Sequence, residues 1–224
     1  LLTNGLMGLD EPITLASTHV GSMSGLMALK NGTAHCAGCH LYDPETQDYN
    51  FPFLQRYVPD LDLVAINLAI RHQGFIVARD NPKAVDSIQD LKRQDVRFIN
   101  RQRGAGTRIL LDDHLNRAGI QPEEISGYDQ EEFTHMAVAV NVQSGAVDCG
   151  MGIFAAAKAL NLGFVPLAKE RYDLIIPREH LAEPKIKSVL DMLNQDDVKK
   201  TIRDLGGYET DLTGKIMAPG QGLG

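Results

Sequence analysis

Short apolar runs bounded by Gly, Pro, Asn or Asp alternate along this chain with segments whose apolar residues recur every three or four positions. The runs ITLAS (13–17), LVAINLAI (63–70), FIVA (75–78), VRFIN (96–100), FVPLA (164–168) and DLIIP (173–177) predict strands. In 22–31, Met23, Leu26, Met27 and Leu29 follow Ser22 as a candidate N-cap, and Gly32 stops the helix. In 82–92, Pro82 takes a first-turn position ahead of Val85, Ile88 and Leu91. In 108–118, Ile109, Leu110, Leu111 and Leu115 form one apolar face before Gly119. The stretches 131–144 and 153–162 are apolar and Ala-rich, and 184–205 reads as two polar-faced helices. The alternation predicts an α/β fold with parallel sheets flanked by helices.

An internal echo refines that picture. KNGTAHCAG (30–38) and QSGAVDCG (143–150) align Gly32 with Gly145, Ala34 with Val147, Cys36 with Cys149 and Gly38 with Gly150. Each reads as a helix closed by a left-handed Gly, then a short strand of small residues. Two copies so far apart point to two similar α/β lobes, since solenoid repeats recur every ~20–50 residues. Gly-capped helix-to-strand turns are also common in α/β proteins, so chance recurrence is the competing explanation.

Composition narrows the function classes. The 224 residues suit one large domain or two lobes, and 43% apolar residues suffice for a core. With 22 Lys+Arg against 29 Asp+Glu the net charge is −7, so no general basic surface for nucleic acid or anionic lipid is expected. Mean hydropathy is −0.17 and the longest apolar runs are only a few residues, so no bilayer-spanning helix is expected. Three cysteines build no disulfide framework. The opening LLTNGLMGLDEP lacks the charged and long apolar regions of a signal peptide. A cytoplasmic location is expected, or a periplasmic one if a signal peptide was removed. A start without methionine inside an apolar run favours trimming from a longer chain.

The sharpest chemical feature is VRFINRQRGAGTRILLDDHL (96–115), which reads strand, Gly-rich loop, helix. Such a loop presents unpaired amides and the positive end of the helix dipole. Gly104 and Gly106 let the backbone approach an anion, Thr107 is an N-cap or ligand donor, and Arg101, Arg103 and Arg108 offer forked hydrogen bonds to oxyanions. The loop matches neither a P-loop nor a dinucleotide fingerprint. The alternative is a tight turn whose arginines pair with carboxylates such as Asp112 or Asp113.

A second polar cluster, GYDQEEFTHMAVAV (127–140), places Tyr128, Thr134 and His135 at the opening of an apolar helix, with Glu131 and Glu132 expected in its first turn. His135 is a ligand contact or a capped, solvated side chain. In KERYD (169–173), Arg171 and Tyr172 line a cleft or decorate a hinge. CAGCH (36–40) has the spacing of a c-type haem site, but it lies in a predicted strand with no helix after it. Packing cysteines are the expectation, with no metal site and no cofactor. Catalytic signatures are absent, and Asp43, Glu45 and Asp48 read as a solvated polar loop, so an enzyme is not expected.

These residues resemble a known family, the periplasmic-binding-protein-like domain of molybdate-binding type. The resemblance is carried by HVGSMSGLMALKNG (19–32), HLYDPETQDYNFPF (40–53), NPKAVDSIQDL (81–91), FINRQRGAGTRILLD (98–112), GYDQEEFTH (127–135), VQSGAVDCGMGI (142–153) and KERYDLIIP (169–177). It spans about residues 15–208, departing from the family in the cysteines after Gly32 and in lacking the first strand with its Gly-Ser-His-Asp turn. The resemblance implies a type II periplasmic-binding fold, with lobe 1 at 1–69 plus 168–224, lobe 2 at 70–167, and a ligand cleft between them. It implies a sensor or binding domain for a small anion, molybdate or tungstate first, acting by cleft closure. Ser22 and Ser24 would face Arg101, Arg103, Gly104, Gly106, Thr107 and Arg108, with Tyr128, His135 and Tyr172 completing the pocket. The domain is often fused to a DNA-binding regulator or a molybdopterin-biosynthesis protein, so such a partner is expected, without direct nucleic-acid or membrane binding by this segment. The second reading is a regulator's effector domain for an organic or phosphorylated ligand such as a molybdopterin precursor. The third is an assembly enzyme using Asp43, Glu45 or His135.

Overall fold

The computed structural model describes residues 13–18 and 20–221. Readings placed on residues 1–12 and on His19, the trimmed or cytoplasmic start among them, lie outside these. Two compact units divide the chain, one joining the residues up to Ile70 with those from Arg171 onward, the other being Arg71–Glu170.

The first unit opens with α1 (Ser22–Lys30), β1 (Ala37–Cys39), a hairpin of β2 (Tyr42–Asp43) and β3 (Asp48–Tyr49), and α2 (Phe51–Tyr57). Strand β4 (Leu63–Val77) then runs on into the second unit. That unit continues through β5 (Phe98–Arg101), α3 (Gly106–Ala118), β6 (Glu131–Glu132), α4 (His135–Gln143), β7 (Cys149–Ile153) and α5 (Phe154–Ala159). Strand β8 (Gly163–Pro177) returns the chain to the first unit, completed by α6 (Pro184–Leu193), α7 (Asp196–Asp204), β9 (Tyr208–Glu209) and β10 (Ile216–Met217). Among the described residues no helix is long and apolar enough to cross a membrane.

In the first unit β1 pairs antiparallel with β8 (Ala37↔Ile175), and β10 pairs antiparallel with β4 (Ile216↔Ile66). One core layer packs Leu26 and Leu29 of α1 and Leu54 of α2 with Leu41, Val58 and Ile175. Another sets Ile186 of α6 against Val64, Ile66, Leu174 and Ile176. Arg171, the first residue after the boundary between the units, is fully buried. It donates to the Tyr49 carbonyl at 2.6 Å and to Asp173 at 2.8 Å, and Asn50 and Asn67 also donate to Asp173.

In the second unit β7 runs antiparallel to β4 (Gln73↔Ile153, Phe75↔Met151), while β5 is parallel to both β7 and β6. The steps β5–α3–β6 and β6–α4–β7 run in opposite directions along the order β7-β5-β6, so right-handed crossovers put α3 and α4 on opposite faces. The packing agrees. Val138 and His135 of α4 lie over Gly150 and Gly152, whose missing side chains make room for them. Strand alternation then places Ile76, Ile99 and Arg101 on the α4 face, and Gln73, Phe75, Met151 and Phe98 on the α3 face. Phe75 and Phe98 meet there edge to face, an arrangement that adds about 1 kcal/mol beyond burial.

Several elements differ from the sequence pattern. The predicted strands 63–70 and 75–78 are one strand, as are 164–168 and 173–177. Arg71, Gln73, Glu170 and Arg171 interrupt the apolar runs, yet all four are buried with polar partners, so the pattern breaks where the strand does not. Residues 13–17 form no strand. The predicted helix 82–92 is only a 3-10 turn over Ile88–Lys92, because Asn81 and Ala84 take positive φ (44° and 46°) and a Ser87–Asp90 capping box starts the coil late. Gly21, not Ser22, is the N-cap of α1, and Ser22 is its first residue. Glu131 and Glu132 form β6 rather than a first helical turn, because the Thr134 hydroxyl caps α4 by accepting from Ala137 N at 3.0 Å. In each unit a helix closes on a positive-φ Gly (Gly32, 65°; Gly145, 74°) before a short strand.

Candidate functional site: the amino end of helix α3

Strand β5 ends at Arg101, and after four intervening residues the chain enters α3 at Gly106. Gly104 takes φ 83°, the left-handed conformation that turns the loop back toward the helix. The N-cap, Ala105, has no side chain able to accept from the first turn. Its carbonyl accepts from the amides of Arg108 (2.9 Å) and Ile109 (3.1 Å), while no backbone bond among the described residues engages the amides of Gly106 or Thr107. Thr107 is 1% exposed, and its hydroxyl has no hydrogen-bond partner among the described residues. A buried hydroxyl and two open amides, at the positive end of a thirteen-residue helix dipole, form a donor set shaped for an anion.

The three arginines divide. Arg101 is buried on the α4 face, donating to the carbonyls of Phe133 (3.0 Å) and Glu132 (3.2 Å) and to His135 Nδ1 (3.0 Å). Burial pushes its pKa down, with Arg71 adding to the effect and Glu170 opposing it. Arg108 is also buried. It donates to the Arg101 carbonyl (3.2 Å), to Glu131 (3.3 Å) and to Asp112 (3.3 Å), and its guanidinium lies 4.0 Å from the centre of the Tyr128 ring. Tyr128 donates to Asp112 at 2.7 Å, and burial pushes its hydroxyl pKa up. Arg103 alone of the three is exposed, its side chain 81% accessible and 3.8 Å from both Asp129 and Glu131. An open groove beside the loop is lined by Arg103, Gly104, Arg108, Ile109, Asp112 and Tyr128.

The pairing of an arginine with Asp112, weighed as the alternative, is therefore part of the structure. Two of three cations brace β5, β6 and the two helices, leaving neutral donors and one exposed cation at the helix end. His135 opens α4 against Arg101. Ser22, Ser24 and Tyr172 lie in the first unit. There the Ser22 hydroxyl accepts from the His40 amide at 3.2 Å, Ser24 is exposed, and the Tyr172 ring packs edge-on against His40 and its hydroxyl over Gly38. Cys39 and Cys149 are buried, and the described residues hold no cluster of His, Cys, Asp or Glu able to bind a metal.

Sequence reasoning missed a buried trio in the second unit. Glu170 is 1% exposed, accepts from Arg71 Nε at 2.7 Å and through Nη2, and accepts from the amide of the fully buried Gln73. The one signal was the cluster of polar residues between two apolar runs.

The PBP superfamily domain model matches residues 4–194. The chain belongs to this superfamily. Its relative YvgK of Bacillus subtilis, itself uncharacterized, is 38% identical over 197 residues, covering 88% of this chain but 63% of its own length. The chain thus spans under two thirds of that relative. Solved superfamily structures share the fold at low identity. An ABC-transporter substrate-binding protein from Clostridium perfringens with bound phosphate superposes with TM-score 0.67 at 14% identity, covering 92% of this chain and 91% of the other. The effector-binding domain of QuiR in complex with shikimate gives 0.60 at 21%, covering 85% and 86%. The fold is the type II periplasmic-binding-protein-like α/β fold, and this is a ligand-binding PBP-like domain.

Proposed function

We propose that the chain binds a small anion at the amino end of α3 and works as a sensor or binding domain without catalytic turnover. The observation that carries this is the Thr107 hydroxyl, buried and unpartnered among the described residues beside two open amides. Gly104 leaves the backbone open, with no atom within 4 Å of where a side chain would begin, and Arg103 supplies an exposed charge that draws anions toward the loop. Molybdate and tungstate are the first ligands to test. A compact tetrahedral dianion needs several neutral donors and little net charge, and the internal use of Arg101 and Arg108 leaves that balance.

The second reading is an effector domain for an organic or phosphorylated anion, coupled to a DNA-binding or molybdopterin-biosynthesis partner. It draws support from the shikimate-bound effector domain that shares the fold, and from a relative longer than this chain. A catalytic role for Asp43 has less support, because its carboxylate accepts from the amide and hydroxyl of Thr46 within its own turn.

Thermal unfolding with molybdate, tungstate, sulfate and phosphate tests the reading. A ligand at 100 times its Kd adds about 2.7 kcal/mol, which raises Tm by several degrees. No rise with any anion would contradict it.

A further inference from the structure

Among the described residues, the large apolar side chains that the second unit exposes are Phe133 (72%), Met136 (44%) and Val140 (48%), and all three stand on α4 or immediately before its cap. The inner face of α4, Val138, Ala139 and Val142, is buried in the core with Ile76, Ile99, Ala156 and Ala157. Met136 and Val140 lie one turn apart on the other side. Phe133 precedes the cap, a position from which an apolar side chain commonly folds back onto the fourth helical residue, here Val138. Val138 is instead buried over Gly150, and the Phe133 ring is left in water. The Phe133 carbonyl accepts from Arg101, so the ring is presented from a fixed backbone.

From Phe133 to Val147 there is no Asp, Glu, Lys or Arg, in a chain where these make up 23% of residues. Every other α-helix among the described residues carries at least one of them. A helix face that meets only water is ordinarily charged or polar. Single apolar side chains on a surface need no explanation, but a row of three on an uncharged helix does.

Charge decides what covers the row. A second copy brings another net charge of −7, and two such chains repel wherever their charged surfaces meet. Along α4 they meet without opposing like charges, whereas a strongly basic or acidic partner finds no countercharge there. The row also fits itself. Phe133 stands at the amino end, Val140 at the carboxyl end, and Met136 between them. Antiparallel twofold pairing sets the large ring of each copy against the small Val140 of the other and brings Met136 onto its own copy. Parallel pairing would set ring against ring. The exposed polar residues at the two ends, Thr134 at one and Gln143 and Ser144 at the other, then face each other uncharged.

We propose that two copies of this chain associate antiparallel through α4, with Met136 at the twofold axis. The surface stands independently of the anion reading. Three apolar side chains per copy make a small interface, so the dimer dissociates on dilution.

Sedimentation equilibrium of the whole chain, from about 1 μM to about 500 μM, tests this. The average mass is expected to rise from 24.5 kDa toward twice that value, with a Kd on the order of 10–100 μM. Added NaCl tightens the pairing, because it screens repulsion between two acidic chains and breaks no ion pair at the contact. Met136→Lys and Met136→Glu each keep the native fold, since the side chain is exposed, and each stays monomeric alone. Mixed together they pair about tenfold or more tighter than either alone, because at the axis position 136 meets its own copy. A chain that is monomeric at every concentration overturns the proposal. So does a dimer that salt loosens, that Met136→Lys leaves intact, or that the mixed variants do not restore. Should the variants fail to fold, amide spectra of the native chain on dilution decide. Concentration-dependent shifts of Met136 and Val140 support the pairing, and their absence overturns it.

Discussion

Arg101 donates through Nη1 to Nδ1 of His135 at 3.0 Å. A guanidinium offers only donors, so Nδ1 presents a lone pair and the ring proton sits on Nε2. The same guanidinium holds the carbonyls of Glu132 and Phe133, so the end of β5 and the start of α4 are fixed together. Proton–nitrogen correlation spectra of the imidazole are expected to show an unprotonated Nδ1 and a protonated Nε2 at neutral pH. The opposite tautomer would contradict the contact.

Replacing Thr107 by Val separates binding from folding. The hydroxyl makes no hydrogen bond among the described residues, so Thr107→Val is expected to leave stability unchanged or raise it by up to about 1 kcal/mol without ligand. Anion affinity is expected to fall about tenfold, read by titration. A destabilised variant with unchanged affinity would assign Thr107 to the core alone.

The pH dependence of one surface clasp follows from its sign. Asp148 accepts from the Arg97 amide (2.8 Å) and Nε (3.1 Å), and these bonds hold its carboxyl below the usual carboxylate range. A lowered folded pKa gives stability that is complete above the ordinary carboxylate range and is lost as pH falls through the folded value. With Arg97 half exposed, Asp148→Asn is expected to cost about 1 kcal/mol at neutral pH, and the difference should vanish in acid. Urea denaturation at several pH values reads this directly.

The CAGCH segment is packing material. Cys39 is fully buried, and burial raises its thiol pKa far above the ordinary value, aided by Asp173. Cys149 is pushed up to about 12, burial being the main cause, and the half-buried Cys36 is raised as well. Thiolates are therefore scarce, and a thiol reagent at mildly alkaline pH is expected to modify the native chain slowly, at Cys36 first. All three thiols should react at once in denaturant. Rapid native labelling of Cys39 would contradict the burial.

The sequence made the strand–loop–helix unit around Arg101–Arg108 legible because two glycines between a strand pattern and a helix pattern leave a local signature, although the helix starts at Gly106 with Ala105 as N-cap, so Thr107 is not the cap. The fate of the arginines was not legible. Whether a guanidinium faces a ligand or braces a carbonyl depends on Glu131, Glu132 and Phe133, which come together with it only when β6 pairs with β5. The length of β4 was hidden for a related reason. A hydropathy pattern reads Arg71 and Gln73 as exposed, whereas Glu170, nearly a hundred residues later, lets both be buried. The false helix at 82–92 shows the converse, because apolar spacing does not register the positive φ of Asn81 and Ala84.

The central claim is that an anion sits on the first turn of α3. Backbone amide spectra of the labelled chain, titrated with the tightest-binding anion of the series, test it most directly. The account predicts large, saturable shifts of the Gly106 and Thr107 amides that Thr107→Val weakens. Saturable binding that leaves those two amides unmoved would contradict it.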